Sequence, residues 1–288
     1  MVDSLIFKPT VFVVIAVHNR RVITSQCLEK LQKQSYNPVK IIVIDDGSTD
    51  GTAEMIRKDY PNVIILIGDG NFWWSKSMNT GINYVLKQAN ESDLVLTLND
   101  DTFFDIDYIK TIVNDINNNP NTILGSLILI NGTNNVFFAG SLFNEWTGKD
   151  KPNFQIGEKF KSEDNQFLNT DYLPGRGTVI PVYIFNKIGL FDDIKLPHYL
   201  ADYDFTLRAK KNGIKLIVNT KMIIKTNLDR IIVEKNTNIR TLLRSLFDIK
   251  SSSRLIDLYM FAKNNAKWPL FYFMLNASKT IIKGLIKF

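Results

Sequence analysis

Between Val11 and Ile130 the chain alternates short β-branched apolar runs with segments of helical periodicity, and that alternation is the pattern of βαβ units laid into a parallel sheet. The strand candidates are Val11–Val17, Ile41–Ile44, Val63–Ile67, Leu94–Leu98 and Ile123–Ile130. Helix candidates lie at Arg21–Gln34, Thr52–Asp59, Lys76–Ala89 and Asp105–Asn118, the last closed by Asn119-Pro120. Runs that are apolar throughout, without polar alternation, suit strands covered on both faces. The predicted class is therefore α/β, with a Rossmann-like and mainly parallel sheet flanked by helices. No G-x-G-x-x-G follows the first run, so a dinucleotide fingerprint is missing.

Two of the strand candidates end in paired acids, Asp45-Asp46 and Asn99-Asp100-Asp101, which places carboxylates at the C-terminal sheet edge where open α/β folds bind ligands. In Val43–Thr52 the pair is followed by Gly47 for a tight turn and by Ser48, Thr49 and Asp50 as helix caps. Such a carboxylate accepts hydrogen bonds from a pyrimidine or a ribose; the alternative is a turn-and-cap motif with no ligand. At Asp100-Asp101 two adjacent buried acids raise each other's pKa unless a cation compensates, and a hard ion such as Mg²⁺ or Mn²⁺ prefers oxygen ligands. A third pair, Asp202 and Asp204 in LADYDF, opens a helix whose N-terminus favours anions.

The order of these segments resembles a family 2 glycosyltransferase of the GT-A fold. It is carried by Ala16-Val17-His18-Asn19, Asp45-Asp46-Gly47-Ser48, Asn71-Phe72-Trp73-Trp74 leading to Asn79-Thr80-Gly81-Ile82, and Asn99-Asp100-Asp101. Gly175-Arg176-Gly177, Gly189-Leu190-Phe191-Asp192 and Ala201-Asp202-Tyr203-Asp204-Phe205 with Arg208 follow. The resemblance implies an inverting, metal-dependent transferase that uses Mn²⁺ or Mg²⁺ and moves a sugar from a nucleotide-diphosphate donor, UDP or dTDP favoured, to a glycan hydroxyl.

Residue by residue, it assigns Ala16, Val17, His18, Asn19, Asp45, Asp46, Asn99, Asp100 and Arg176 to the donor, with Lys76 standing in for a basic residue that relatives carry where this chain has Met78. Asp101 would hold the metal, with Asp100 beside it and His198 as a further candidate ligand. Asn99 stands where the family's D-x-D motif starts with Asp. Asp202 aligns with the acid that deprotonates the acceptor; Ala201 replaces the acid before it, so Asp204 stands as the alternative base. Asp204, Trp73 and Trp74 are the candidate acceptor or sugar contacts; adjacent tryptophans cannot both face a core, so one is expected to pack inward. Local alternatives stand beside these: packing for His198, and an ion pair to Asp192 or Asp193 for Arg176.

The chain carries 35 Lys and Arg against 29 Asp and Glu, and the excess is local. Residues 229–288 hold eleven basic against four acidic residues, which leaves a net −1 for residues 1–228. We therefore divide the chain into a catalytic domain, 1–228, and a basic amphipathic helical tail, 229–288. Lys279, Lys283 and Lys287 recur every four residues while Ile281, Ile282, Leu285 and Ile286 occupy another face, and Trp268, Phe271, Tyr272 and Phe273 suit a membrane interface. The expected partners are a nucleotide-sugar donor, a lipid-linked glycan acceptor and an anionic membrane surface; the alternative for the tail is packing on the core or on a second copy. Cytoplasmic location at the membrane's inner face is expected, and one cysteine, Cys27, fits a reducing compartment.

Basic residues here coincide with apolar ones and match no nucleic-acid motif, so no nucleic acid is expected as a partner. Val17–Arg21 lacks the glycines of a nucleotidyltransferase phosphate loop. A non-catalytic nucleotide-sugar-binding or scaffold protein of the same fold is the competing class.

Overall fold

The computed structural model describes residues 8–161, 163, 166–227 and 239–285. Its first half runs β1 (Val11–Val17), α1 (Arg21–Gln32), β2 (Val39–Asp45), α2 (Thr52–Asp59), β3 (Ile64–Ile67), α3 (Trp73–Leu86), β4 (Leu94–Leu98), β5 (Thr102–Phe104), α4 (Tyr108–Asn118) and β6 (Thr122–Ile130). Short strands follow: β7 (Val136–Phe138), β8 (Ser141–Phe143), β9 (Asp150–Pro152), β10 (Phe167–Asn169) and β11 (Thr178–Pro181). Then come α5 (Val182–Ile188), α6 (Ala201–Lys211), β12 (Lys215–Thr226), α7 (Ile239–Ser245), α8 (Leu255–Asn265) and α9 (Pro269–Leu285).

The main sheet has the order β10-β12-β6-β11-β4-β1-β2-β3, with β5 added to β12 and β7 to β6. Strands β4, β1, β2 and β3 run parallel, whereas β11 is antiparallel to both β4 and β6. The GT-A expectation of a mixed, mostly parallel sheet flanked by helices holds. Alternate residues of β1 explain the two covered faces. Val11, Val13, Ile15 and Val17 join a core with α1, α2 and α4, while Phe12 and Val14 join the opposite core with α3, α5 and α6. Gly81 lets α3 come down on the sheet, since a β-carbon there would lie 2.6 Å from Val14 Cγ1 and 2.7 Å from Ile44 Cδ1.

One local expectation differs from the structure, and one strand was not anticipated. Helix α3 starts at Trp73 rather than Lys76, so both tryptophans lie in its first turn and not in a loop. The residues after Asp101 form β5, paired with Phe103 and Phe104 against the far end of β12.

Helices α8 and α9 are packed on the second core. Phe261, Ala262 and Tyr272 are buried there, and Phe143 of β8 lies edge-on to Phe261. The other side of α9 remains open, with Leu270, Phe271, Met274 and Ile282 exposed. No helix among the described residues is long and apolar enough to cross a membrane. Ile286 and Lys287, the side chains of Lys283 and Leu285, and the 228/229 boundary lie outside the described residues.

Candidate active site

The C-terminal ends of β1, β2 and β4 converge at one edge of the sheet, and the loops leaving them are stitched together. After β1, Asn19 adopts φ 52°, its N–H donates to Ser48 Oγ at 2.8 Å, and its Oδ1 accepts the Thr49 N–H at 2.7 Å. His18 Nδ1 donates to the Asp46 carbonyl at 2.6 Å. Ala16 and Val17 lie opposite Ile44 and Asp45 in the β1–β2 ladder. The buried Asp45 accepts the Ser48 N–H at 2.9 Å through Oδ1, and its Oδ2 has no hydrogen-bond partner among the described residues.

Asp46 does not stand open to a ligand. Its Oδ1 accepts the Gly70 N–H at 2.8 Å, and its Oδ2 accepts those of Phe72 and Trp73 at 2.9 and 3.1 Å. One carboxylate thus shapes the 68–73 loop and opens α3, holding Trp73 at φ 57°, a conformation that a bulky residue adopts only when its surroundings impose it.

The strand β4 delivers the second acidic pair. Asp100, 2% exposed, accepts the Thr24 hydroxyl at 2.9 Å and pairs with Arg20 Nη1 at 3.0 Å. Asp101 is gripped by two cations, Arg20 Nη2 at 3.3 Å and Arg176 Nη2 at 3.2 Å. Arg176 also donates to Thr226 Oγ1. With its amide oxygen turned toward the guanidinium, Asn99 accepts from Arg176 Nε and Nη2, each at 3.2 Å. A neutral amide at Asn99 leaves the Arg176 charge to be answered by Asp101. Arg176 therefore pairs with Asp101 rather than with Asp192 or Asp193.

Among the described residues no three His, Cys, Asp or Glu side chains converge on a common point, so His198 is not drawn in with Asp100 and Asp101 as a third ligand. Mg²⁺ and Mn²⁺ commonly take one or two carboxylates and complete their shell with substrate phosphates and water. Asp101, partly exposed at the strand edge, fits that use, in competition with two guanidiniums for the same oxygens.

The third acid cluster divides. A left-handed Leu200, φ 67°, turns the chain into α6. In the first turn, Asp202 Oδ2 accepts the Gly175 N–H at 2.8 Å and Oδ1 accepts the Tyr203 N–H at 2.9 Å. Burial raises the Asp202 pKa above the ordinary carboxylate value, against the lowering effect of those two N–H groups. Gly175 also meets Trp74: a β-carbon there would lie 2.1 Å from Cζ2 of the indole, and Trp74 is edge-on to Phe191 at 5.1 Å. Trp74 is the inward tryptophan.

Asp204 corrects an expectation. It is 4% exposed, and its Oδ1 accepts from Asn264 Nδ2 at 2.9 Å and Asn265 Nδ2 at 2.8 Å of α8, so it ties the tail to the core instead of meeting a sugar. Lys76 is exposed, with its ammonium 4.1 Å from the centroid of the Phe72 ring. His198 packs edge-on against Trp73 at 5.7 Å and Tyr199 at 4.5 Å. Burial first, and the Lys250 charge second, push its pKa below the ordinary imidazole value, so it is neutral at pH 7. Arg208 donates to the carbonyls of Ile188 and Leu190, and Asn79 both donates to and accepts from the Phe191 backbone; together they fix the 189–191 turn.

Sequence reasoning missed Arg20, Thr24, Thr226 and Lys250. Arg20 carried a signal, a basic residue three positions past a strand end that faces two acidic pairs; Lys250 carried none.

Comparison with known proteins bears on family and fold. The glycosyltransferase GlyA of Streptococcus pneumoniae serotype 4 is 24% identical over 228 residues, which cover 77% of this chain and 32% of GlyA. An uncharacterized glycosyltransferase of Rickettsia prowazekii is 27% identical over 203 residues, 69% of this chain and 58% of the relative. The chain thus spans about a third and somewhat over half of these two proteins. The fold matches a mannosyltransferase of Pyrobaculum calidifontis in complex with GDP-Man and Mn²⁺ at a TM-score of 0.61 and 12% identity, over 98% of this chain and 74% of that one. A profile described as glycosyl transferase family 2 matches residues 12–189, ending before Asp202, and with that match the chain belongs to glycosyl transferase family 2.

Proposed function

We propose that this protein is an inverting glycosyltransferase that moves a sugar from a nucleotide-diphosphate donor, UDP- or dTDP-sugar favoured, to a hydroxyl of a lipid-linked glycan during cell-surface polysaccharide assembly. One observation carries the proposal: two consecutive residues touch both halves of the chemistry. The Gly175 N–H holds Asp202, and the Arg176 guanidinium holds Asp101. The tryptophan pair makes the matching link, since the Trp73 N–H binds Asp46 while the Trp74 ring lies on Gly175. Through the 73–74 and 175–176 pairs, Asp46 and Asp101 are thus both linked to Asp202.

In the proposed reaction Asp202 takes the proton of the acceptor hydroxyl as its oxygen attacks the sugar C1 from the face opposite the diphosphate. The C1–O bond to the diphosphate breaks, the anomeric configuration inverts, and the electron pair leaves with the nucleoside diphosphate. A carboxyl with a burial-raised pKa is a stronger base than an ordinary aspartate. Arg20 and Arg176 place positive charge where negative charge builds on the leaving group. Mn²⁺ or Mg²⁺ held by Asp101, with Asp100 behind it, would add Lewis-acid stabilisation of that diphosphate.

Peripheral attachment to an anionic, cytoplasmic membrane face belongs to the same proposal. It is supported by Leu270, Phe271 and Met274 exposed on α9 together with the basic surplus of the tail. The deciding experiment is a panel of nucleotide sugars with Mn²⁺ or Mg²⁺, scored by thermal shift and by release of nucleoside diphosphate. A protein that binds a donor yet never releases the diphosphate, with or without acceptor, would be the non-catalytic relative instead.

A further inference from the structure

Beside the base lies a second cluster that donor chemistry does not use. Trp73, His198, Tyr199 and Lys250 come from three separate stretches of chain: the first turn of α3, the loop entering α6, and the segment between α7 and α8. His198 packs edge-on to both Trp73 and Tyr199. The Tyr199 hydroxyl donates to the Lys250 carbonyl at 3.2 Å, which anchors the tail segment there. The Lys250 ammonium lies 5.8 Å from the centroid of the Trp73 ring.

Several features distinguish this cluster from ordinary packing. Trp73 is held at φ 57° by Asp46, and strain in a bulky residue persists where the surroundings over-determine it, as at ligand clamps. His198 Nδ1 is buried without a hydrogen-bond partner among the described residues. Lys250 is exposed and, among the described residues, forms no ion pair. The cluster adjoins the acceptor side of the chemistry, because Trp74, the next residue, lies on the Gly175 whose N–H holds Asp202, and His198 is four residues before that acid.

We propose that Trp73, His198 and Lys250 form an acceptor subsite that takes a sugar bearing an oxyanion, a carboxylate or a phosphate, with the indole against the sugar face and Lys250 paired to the anion. This deepens the transferase assignment and rests on it. An aromatic face supplies apolar contact for the C–H side of a pyranose. An unpaired ammonium supplies selection by charge. The imidazole nitrogen gives a hydroxyl partner at the site's floor. The subsite makes the tail part of acceptor selection, since Lys250 is the one of the three that the 1–228 segment does not contain.

The test measures binding of three probes, a methyl hexopyranoside, the corresponding hexuronate and hexose 6-phosphate, by calorimetry on the full chain saturated with Mn²⁺ and with the nucleoside diphosphate the donor panel selects. One of the two anionic sugars is expected to bind about fivefold or more tightly than the neutral one, and which one identifies the anion's source. Lys250→Gln should erase that preference, Lys250→Arg should restore it, and Trp73→Ala should weaken all three probes. Equal binding of the three sugars by the parent, no binding of any, a preference that survives Lys250→Gln, or a loss that falls on the nucleoside diphosphate instead would each overturn the subsite. A parent protein that neither binds nor consumes any nucleotide sugar would fail at the earlier step and is told apart by the donor panel.

Discussion

Asp202 and Asp204 stand two residues apart in the first turn of α6 and send their carboxylates to different places: Asp202 to the Gly175 N–H, Asp204 to the Asn264 and Asn265 amides of α8. Two positions along an α-helix correspond to about 200° of rotation, so acids at this spacing cannot share one site. The helix thereby separates the carboxylate proposed as the base from one that binds α8, and it carries both in a single turn.

Asp202→Asn is expected to lower kcat by about 10²- to 10⁴-fold while leaving donor affinity nearly intact, since the amide oxygen keeps one acceptor, for the Gly175 N–H, and gives up the base and the bond from the Tyr203 N–H. The folded-state pKa of Asp202 is raised, so the neutral form suits the fold. Its stabilising contribution is complete below the unfolded value and is lost as pH rises through the folded one. The neutral variant escapes that loss but gives up the acceptor for the Tyr203 N–H, so its melting temperature at pH 7 should stay close to the parent's. Activity runs the other way: the ionised base is required, so the parent's rate should fall as pH drops through the raised pKa, at a higher pH than an ordinary aspartate would give. A variant that keeps the parent's turnover would remove Asp202 from the mechanism.

Asp204→Ala should separate stability from chemistry. It strips one of two acceptors from Asn265, which is 4% exposed and keeps its bond to the Phe261 carbonyl, and one buried N–H left without a partner costs about 1–3 kcal/mol. The expected result is a lower melting temperature and faster proteolysis between α7 and α9, with kcat reduced far less than in Asp202→Asn. Equal damage to kcat in both variants would show that the two acids act together.

The pair of helix-start aspartates also shows how far the sequence carries. Val11–Val17, Leu94–Leu98 and Thr52–Asp59 were readable to the residue because their patterns are local: runs buried on both faces, or a helix following a turn. The acids at the ends of β2 and β4 were readable as lying at the sheet edge for the same reason. The start of α3 was not, because its first N–H groups are capped by Asp46 from 26 and 27 residues away. Nor was β5, three residues whose partner strand lies 120 residues further on. The direction of Asp204 is set by asparagines 60 and 61 residues later, and local pattern holds no trace of them.

Arg20→Gln removes the cation nearest to Asp100, whose side chain is 1% exposed. Breaking a fully buried pair costs about 3–5 kcal/mol, and the partial exposure of Arg20 reduces this to about 2–3 kcal/mol. Because a metal would compete with Arg20 for Asp101, the variant should bind Mn²⁺ more tightly than the parent and recover part of its lost stability when Mn²⁺ is added. Melting curves with and without Mn²⁺ and a direct Mn²⁺ titration check both statements. A variant whose Mn²⁺ affinity is unchanged would place the ion away from Asp101.

The two sides of α9 give the last prediction. Tyr272 and Ala277 are buried, while Leu270 and Met274, one turn apart on the outer side, are 65% and 69% exposed. Replacing both outer residues with aspartate removes apolar contact and adds negative charge without touching the packed side, so the melting temperature should move little. If this face lies in an anionic interface, both changes oppose binding, and co-sedimentation with phosphatidylglycerol-containing vesicles should drop several-fold relative to the parent. If the face instead joins two copies of the chain, the vesicle pellet stays the same and the sedimentation coefficient falls toward that of a monomer. The same pair of substitutions thus decides between the membrane and a second copy as the occupant of the outer side, and an unchanged result in both measurements would leave the apolar stripe without either role.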